Sequence, residues 1–177
     1  MSTKKVENIY TPNCIRTYTG IYINVFDPKP EMIDIEDIAH ALASEPRWGG
    51  HLPYVYSVAQ HSVMCMRNMP HNSSRKRLLQ ALMHDGSEAY LRDISSPIKA
   101  GLANYKDIEH RLMVVIADKF KFNYPLCYAA KDVDSQRLHW EWYNIALVRP
   151  KFLAWFKCWG RRKAKRIFLK EFRRLTQ

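Results

Sequence analysis

The chain has 177 residues, 47% of them hydrophobic and 12% aromatic, which is enough for one domain with one sizeable core and excludes a disordered chain. Its net charge of +11 is uneven: from Arg149 onward eleven basic residues face Glu171 alone, so the tail carries +10 while residues 1–148 are nearly neutral. The four cysteines, Cys14, Cys65, Cys127 and Cys158, are scattered without a C-x-x-C pair, which argues against a zinc ribbon or a dithiol redox motif, and no apolar run approaches the ~18 residues of a membrane span. With no secretory leader recognisable, the expectation is a cytoplasmic protein with reduced thiols and no membrane contact.

Six glycines in all and long stretches of helical spacing point to an all-α fold in a single domain. Residues 1–30 contain Pro12, Gly20, Pro28 and Pro30 around the β-branched and aromatic stretch Tyr18 to Phe26, and read as an irregular arm or a short hairpin. Asp34 is placed to cap a first helix with Ile35, Ile38, Ala39 and Leu42 on one face, ended by Pro46. Arg47-Trp48-Gly49-Gly50-His51 is a loop by its glycines. A second helix is predicted from about Tyr54 to Met69, with Val55, Val58, Ala59, Ser62, Val63 and Met66 as its buried stripe. Ser73 or Ser74 caps a third, which carries Leu78, Leu79, Leu82 and Met83 into His84-Asp85 and on to Leu91; Pro97 then breaks the chain. Further helices are predicted over Asn104–Phe120, Leu126–Leu147 and Arg161–Leu175, the last with Ala164, Ile167, Phe168, Phe172 and Leu175 on one face. The chain divides into an arm (1–30), a core (31–148) and a basic amphipathic helix (149–177) packed on the same domain.

The densest chemical signal is Ala81-Leu82-Met83-His84-Asp85-Gly86-Ser87-Glu88. An apolar helix delivers His84 and Asp85 in succession, with Glu88 one turn later on the same face. Burying three such groups costs several kcal/mol unless they are paired or bound to a metal. His61 sits in the apolar Tyr56–Val63 segment, and Lys131-Asp132-Val133-Asp134 places carboxylates in a third helix. Two imidazoles and two carboxylates from three helices make an N/O site for a borderline transition metal, with coordination positions left for water and substrate. Of the other histidines, His71, His110 and His139 read as surface or helix-end residues. The stripe Trp140, Trp142, Trp155 and Trp159 reads as core or subunit interface.

With these residues in view, the sequence resembles the HD-domain phosphohydrolases, whose ligand pattern H…HD…D falls here on His61, His84-Asp85 and Asp134. Asp134 is preferred to Asp132 because relatives of this type carry Leu at +4 and Glu at +7 from the ligand, as Leu138 and Glu141 do here. The segments Ile33–Leu42, Arg47–His51 and Tyr56–Ser62 are similar to the small bacterial and phage branch related to 5′-deoxynucleotidases, with the likeness running from about Thr17 to Leu147. The resemblance implies an HD-domain helical bundle holding one divalent metal (Mn, Co, Zn, Fe or Ni), with allowance for a second ion carried by the substrate phosphates. It implies Arg47 and Trp48 as the nucleotide grip, Lys99 near the phosphate, and Glu88 and Asp93 as the groups that handle water and the leaving oxygen. His51 is a further candidate for phosphate contact.

The activity expected is removal of the 5′-phosphate from deoxynucleoside monophosphates. The alternative on the same metal core is a deoxynucleoside triphosphate triphosphohydrolase, for example on dATP. An alternative of another class is a nucleic-acid-binding module driven by the basic tail. A homo-oligomer is also expected, since relatives of this branch are often oligomeric.

Overall fold

A computed structural model describes residues 13–147 and 157–177. Arg149, Lys151 and Trp155, the arm before Asn13 and the predicted boundary at 148 lie outside the described residues. The rest is mostly helical, with a two-stranded sheet at the N-terminal end. Strands β1 (Cys14–Arg16) and β2 (Tyr22–Asn24) pair antiparallel, Ile15 opposite Ile23, and Ile23 is fully buried. The hairpin is pinned to the bundle through Thr19, whose backbone N–H and hydroxyl donate to the two oxygens of Asp37 at 2.6 and 2.7 Å.

Helix α1 (Ile35–Ser44) starts where Asp34 accepts a hydrogen bond from the Glu36 N–H, and it buries Ile38, Ala39 and Leu42. Helix α2 is shorter than predicted, Val58–Asn68 rather than from Tyr54. The backbone of the preceding residues is engaged elsewhere: Arg47 N–H donates to the Tyr56 carbonyl at 2.8 Å and Val58 N–H to the Glu45 carbonyl at 3.0 Å. Ser57 then caps α2 from outside the helix. Val55, predicted as part of the buried stripe, is 67% exposed for the same reason.

Helix α3 (Arg75–Met83), capped by Ser74, does not run on to Leu91 as predicted. It tightens through His84–Ser87, where Gly86 N–H donates to the Met83 carbonyl and Glu88 N–H to the Asp85 carbonyl. The turn is tight at Gly86: a Cβ there would stand 3.0 Å from the Met83 carbonyl oxygen, so a larger residue would require a shift of the turn. Helix α4 (Glu88–Leu91) follows. Pro97 starts a helix instead of merely breaking one: it lies in the first turn of α5 (Ser96–Gly101), where a missing N–H costs nothing. Helix α6 spans Tyr105–Phe120 and α7 spans Tyr128–Glu141. The predicted continuation of α7 to Leu147 becomes a π-helical turn, Trp142–Ala146.

Helix α8 (Arg161–Thr176) packs on α1, α2 and α3 and sends Ala164, Phe168, Leu169, Phe172 and Leu175 into the main core. The basic helix is therefore part of the same hydrophobic unit as the rest. Two buried glutamines lock neighbouring segments together. Gln60 of α2 donates to the Lys157 carbonyl at 3.0 Å and accepts from Trp159 N–H at 2.7 Å. Gln80 of α3 accepts from the Cys127 N–H at 2.7 Å, which sets the start of α7. Among the described residues no helix is long and apolar enough to cross a membrane.

Phe168 is fully buried, so Phe168→Ala should cost about 3–5 kcal/mol of unfolding free energy, read from chemical denaturation. A loss below about 1 kcal/mol would mean that α8 is not an integral part of the core.

Candidate metal centre and its cavity

Three helical segments bring the predicted ligands together. His61 comes from the middle of α2, His84 and Asp85 from the tight turn after α3, and Asp134 from the second turn of α7. His61 Nε2 lies 3.2 Å from His84 Nε2, 3.0 Å from Asp134 Oδ1 and 3.7 Å from Asp85 Oδ2. His84 Nε2 lies 3.0 Å from Asp85 Oδ2 and 3.4 Å from Asp134 Oδ1. Donors about 2.0–2.2 Å from a common metal ion stand roughly 3–3.6 Å from one another in tetrahedral or octahedral arrangements, so this spacing suits one ion.

The protonation logic is more telling than the distances. His61 Nδ1 is 2.7 Å from Glu141 Oε1, and His84 Nδ1 is 2.9 Å from the Ala81 carbonyl oxygen. Both partners are acceptors, so both rings carry their proton on Nδ1 and turn an Nε2 lone pair inward. Two imidazole lone pairs and two carboxylate oxygens then converge in a nearly dry interior. Among the described residues Asp85 Oδ2 has no hydrogen-bond donor. Such a centre demands positive charge. Burial pulls the pKa of His61 down, but the neighbouring Cys65 and Asp134 push it up to about 10. Burial likewise opposes charge on His84, and Asp85 and Asp134 raise it well above the ordinary value. Protons fill the role poorly, because two Nε2–H groups 3.2 Å apart would point at each other. A divalent ion fits the donor set directly.

Cys65, which sequence reasoning left aside, also belongs to this neighbourhood. The ligand atoms of His61, Cys65, His84 and Asp134 all lie within 4.8 Å of one another, a group that could hold a metal ion and is compatible with an H…HD…D site. The i, i+4 spacing of His61 and Cys65 on one helix was the available signal. Its sulfur stands 3.5 Å from His61 Nε2 and 4.0 Å from Nδ1. Near-equal distances to both ring nitrogens place the thiol beside the ring rather than on the Nε2 lone-pair axis. Asp85 Oδ2, 3.7 and 3.0 Å from the His61 and His84 Nε2 atoms, is the other candidate for the fourth position. Asp132, the alternative to Asp134, instead accepts from Gln136 at 2.8 Å.

Glu141 is the brace behind the centre and was visible in the sequence only as a spacing mark. It is fully buried two turns after Asp134. Its Oε1 accepts from Tyr56 OH at 2.6 Å, from His61 Nδ1 and from Arg137 Nε at 3.2 Å, and its Oε2 accepts from Arg47 Nε at 3.1 Å. Burial opposes its charge, but the His61 hydrogen bond and nearby cations hold its pKa down at about 2.

A cavity of about 670 Å³ opens over Asp85 and Asp134, with Arg47, Trp48, Glu88, Asp93 and Lys99 on its walls. Arg47 reaches Asp85 at 3.6 Å as well as Glu141. Trp48 adopts a left-handed conformation, φ 60°, followed by Gly49 and Gly50, which also have positive φ. Lys99 Nζ bridges Glu88 at 3.3 Å and Glu109 at 3.0 Å. The backbone N–H of Asp93 donates to the buried carboxylate of Glu45 at 3.4 Å. His51 is exposed at the outer end of the Arg47–Gly50 turn and is not among the residues lining the cavity. His139, Trp142 and Tyr143 do line it, although sequence reasoning assigned the first to the surface and the second to core or interface.

Burial, then Asp85 and Asp93, push the Glu88 carboxyl from 4.5 up to about 9 against the pull of Lys99. Burial is also the main cause that raises Asp93. Four carboxyl groups, Asp85, Glu88, Asp93 and Asp134, line the cavity with the cations Arg47 and Lys99.

The chain matches no protein-family profile. Similar proteins include the uncharacterized protein YfdR of Escherichia coli K12, 39% identical over 106 residues that make up 60% of this chain and 57% of that one. An uncharacterized protein of Rhodobacter capsulatus is 38% identical over 112 residues, 59% of this chain and 57% of that one. The chain thus covers less than two thirds of the length of these relatives.

The wild-type protein should bind one divalent ion per chain, whereas His84→Ala or Asp134→Ala should lose it in equilibrium titration. Cys65→Ser should retain it, and the Co²⁺ form should lack a sulfur-to-metal charge-transfer band; such a band would instead make the thiol a ligand.

A second expectation concerns pH. Because Glu88 has a folded pKa near 9 against 4.5 when free, the folded state holds the extra proton between these values. Its contribution to metal-free stability is complete below 4.5 and is lost as pH rises toward 9. Glu88→Gln should therefore raise the melting temperature of metal-free protein more at pH 8 than at pH 5. Equal shifts at both values would contradict the assigned environment.

Proposed function

We propose that this chain is a metal-dependent phosphohydrolase of the HD-domain type, acting on deoxynucleotides and releasing the 5′-phosphate of deoxynucleoside monophosphates. The observation that carries the reading is the cluster of four lone-pair donors, His61, His84, Asp85 and Asp134, two of which, Asp85 and Asp134, line a cavity whose walls also hold Arg47, Trp48, Glu88, Asp93 and Lys99. A divalent ion held by these donors supplies Lewis-acid charge for a phosphate and makes the water it binds more acidic. The volume falls within the roughly 300–1,000 Å³ typical of small-molecule sites.

The chain's own groups divide the remaining work. Arg47, held by Glu141, presents a fixed guanidinium on the cavity wall and suits a phosphate oxygen. Lys99 adds a second cation beside Glu88. Burial, and after it the charge of Asp85, raises the proton affinity of Glu88; a cation at the ligand cluster would offset the Asp85 part and so favour Glu88 as a base. It then takes a proton from the water whose oxygen attacks phosphorus. Asp93, on the cavity wall and with its proton affinity raised by burial, is the group assigned to pass a proton to the 5′-oxygen as the P–O bond breaks. Lys165 and Arg173 of α8 pair with Glu36, and Arg174 with Glu171, so part of the basic face is neutralised within the fold. The reading requires no nucleic-acid partner.

The test is a panel of deoxynucleoside mono- and triphosphates offered to chelated protein reloaded with Mn²⁺ or Co²⁺, with the phosphorus product identified. Orthophosphate from monophosphates is expected. Inorganic triphosphate from triphosphates would replace the proposed activity with the triphosphohydrolase one, and no turnover with any metal would overturn both. Glu88→Gln should lower kcat by about 10²-fold or more while the metal stays bound.

A further inference from the structure

The geometry points to Trp142, with Tyr143 beside it, as a nucleobase-stacking subsite on the cavity wall that extends the surface of Trp48, already implied by the resemblance as a nucleotide contact. It rests on the phosphohydrolase reading for what binds at the other end of the cavity. All three residues line that cavity. Trp142 is 44% exposed and Tyr143 56% exposed. The core does not use them: Ile145, from the same turn, is the side chain that goes inward, 2% exposed. Two large aromatic faces left in water beside a deep polar site offer apolar surface to a planar ligand.

Each indole reaches this place through an irregular backbone. Trp48 sits in the left-handed region, and Trp142 opens the π-helical turn. Departures of this kind gather at functional sites. Trp48 directly follows Arg47, and Trp142 directly follows Glu141. The 3.1 Å Arg47–Glu141 ion pair therefore fixes the roots of both indoles and, through Glu141, the orientation of His61. The aromatic wall thus starts one residue from the brace of the metal centre, which puts the base and phosphate ends of a ligand in one frame.

The Trp48 and Trp142 ring centroids are 5.6 Å apart, tilted by 31°. That is direct ring contact, within the about 4.5–7 Å of aromatic pairs, so no base fits between them. A base packs on their open faces, with Tyr143 and the half-exposed Leu138 extending the surface. Stacking accepts any base and grows with ring area, so the subsite favours purines over pyrimidines.

The test has two arms. In the first, deoxyadenosine and deoxycytidine, which carry no phosphate, are titrated while tryptophan fluorescence is followed. Deoxyadenosine should bind more tightly than deoxycytidine. Trp142→Ala should weaken deoxyadenosine binding by about tenfold or more, and Trp142→Phe should keep most of it. In the second, kcat/KM for dAMP should exceed that for deoxyribose 5-phosphate by about tenfold or more in the unmodified protein. Nucleoside binding that is absent, or unchanged in a folded Trp142→Ala, overturns the subsite. So does equal kcat/KM for the two phosphates, which would leave the phosphohydrolase reading standing. Trp142-dependent nucleoside binding without turnover of any phosphate would keep the subsite and remove that reading.

Discussion

Two imidazole nitrogens 3.2 Å apart, each with its lone pair turned toward the other, cannot rest in a dry interior without positive charge between them. The lone pairs face inward because the opposite ring nitrogens are committed: His61 to Glu141 and His84 to the Ala81 carbonyl. Glu141 is the more consequential partner. It gathers Tyr56, His61, Arg137 and Arg47, drawn from the loop before α2, from α2, from α7 and from the Arg47–Gly50 turn. One buried carboxylate thereby sets a ligand's tautomer, fixes the proposed phosphate-gripping cation and joins four parts of the structure. Removing it would take a buried carboxylate away from both Arg47 and Arg137, so its structural and chemical roles cannot be separated by deletion alone.

The regular and irregular parts of the chain are distributed accordingly. Helices α1, α2, α6 and α8 follow ordinary apolar periodicity and supply most of the core. Several departures border the cavity: the left-handed Trp48, the tightened His84–Ser87 turn, the positive φ of Arg92 before Asp93, and the π turn at Trp142. Each costs backbone energy that surrounding packing must offset. Others are ordinary chain punctuation, such as the left-handed Asn104 and Lys121 at the two ends of α6.

Much of this was legible in the sequence. Helices α1, α6 and α8 are predicted nearly to the residue because their apolar periodicity is regular, reinforced at α1 by the Asp34 cap. His61, His84, Asp85 and Asp134 were identified as one constellation, and they converge. The failures have a common physical origin in non-local contacts. The start of α2 was misplaced because backbone pairing with Glu45 and Arg47, far back in sequence, overrides the helical pattern of Tyr54–Ser57. Trp142 reads as core on hydropathy alone, since its side becomes clear only once the π turn shifts the register. Cys65 and Glu141 were at visible helical spacings from ligands. Spacing alone does not say that one lies beside the His61 ring and the other behind it.

Anomalous diffraction from crystals of the metal-loaded protein tests the central claim most directly. A single metal peak is expected about 2.0–2.2 Å from His61 Nε2, His84 Nε2 and one oxygen each of Asp85 and Asp134, with His61 Nδ1 still on Glu141. Coordination through Nδ1 of either histidine, or no metal at this position, would contradict it.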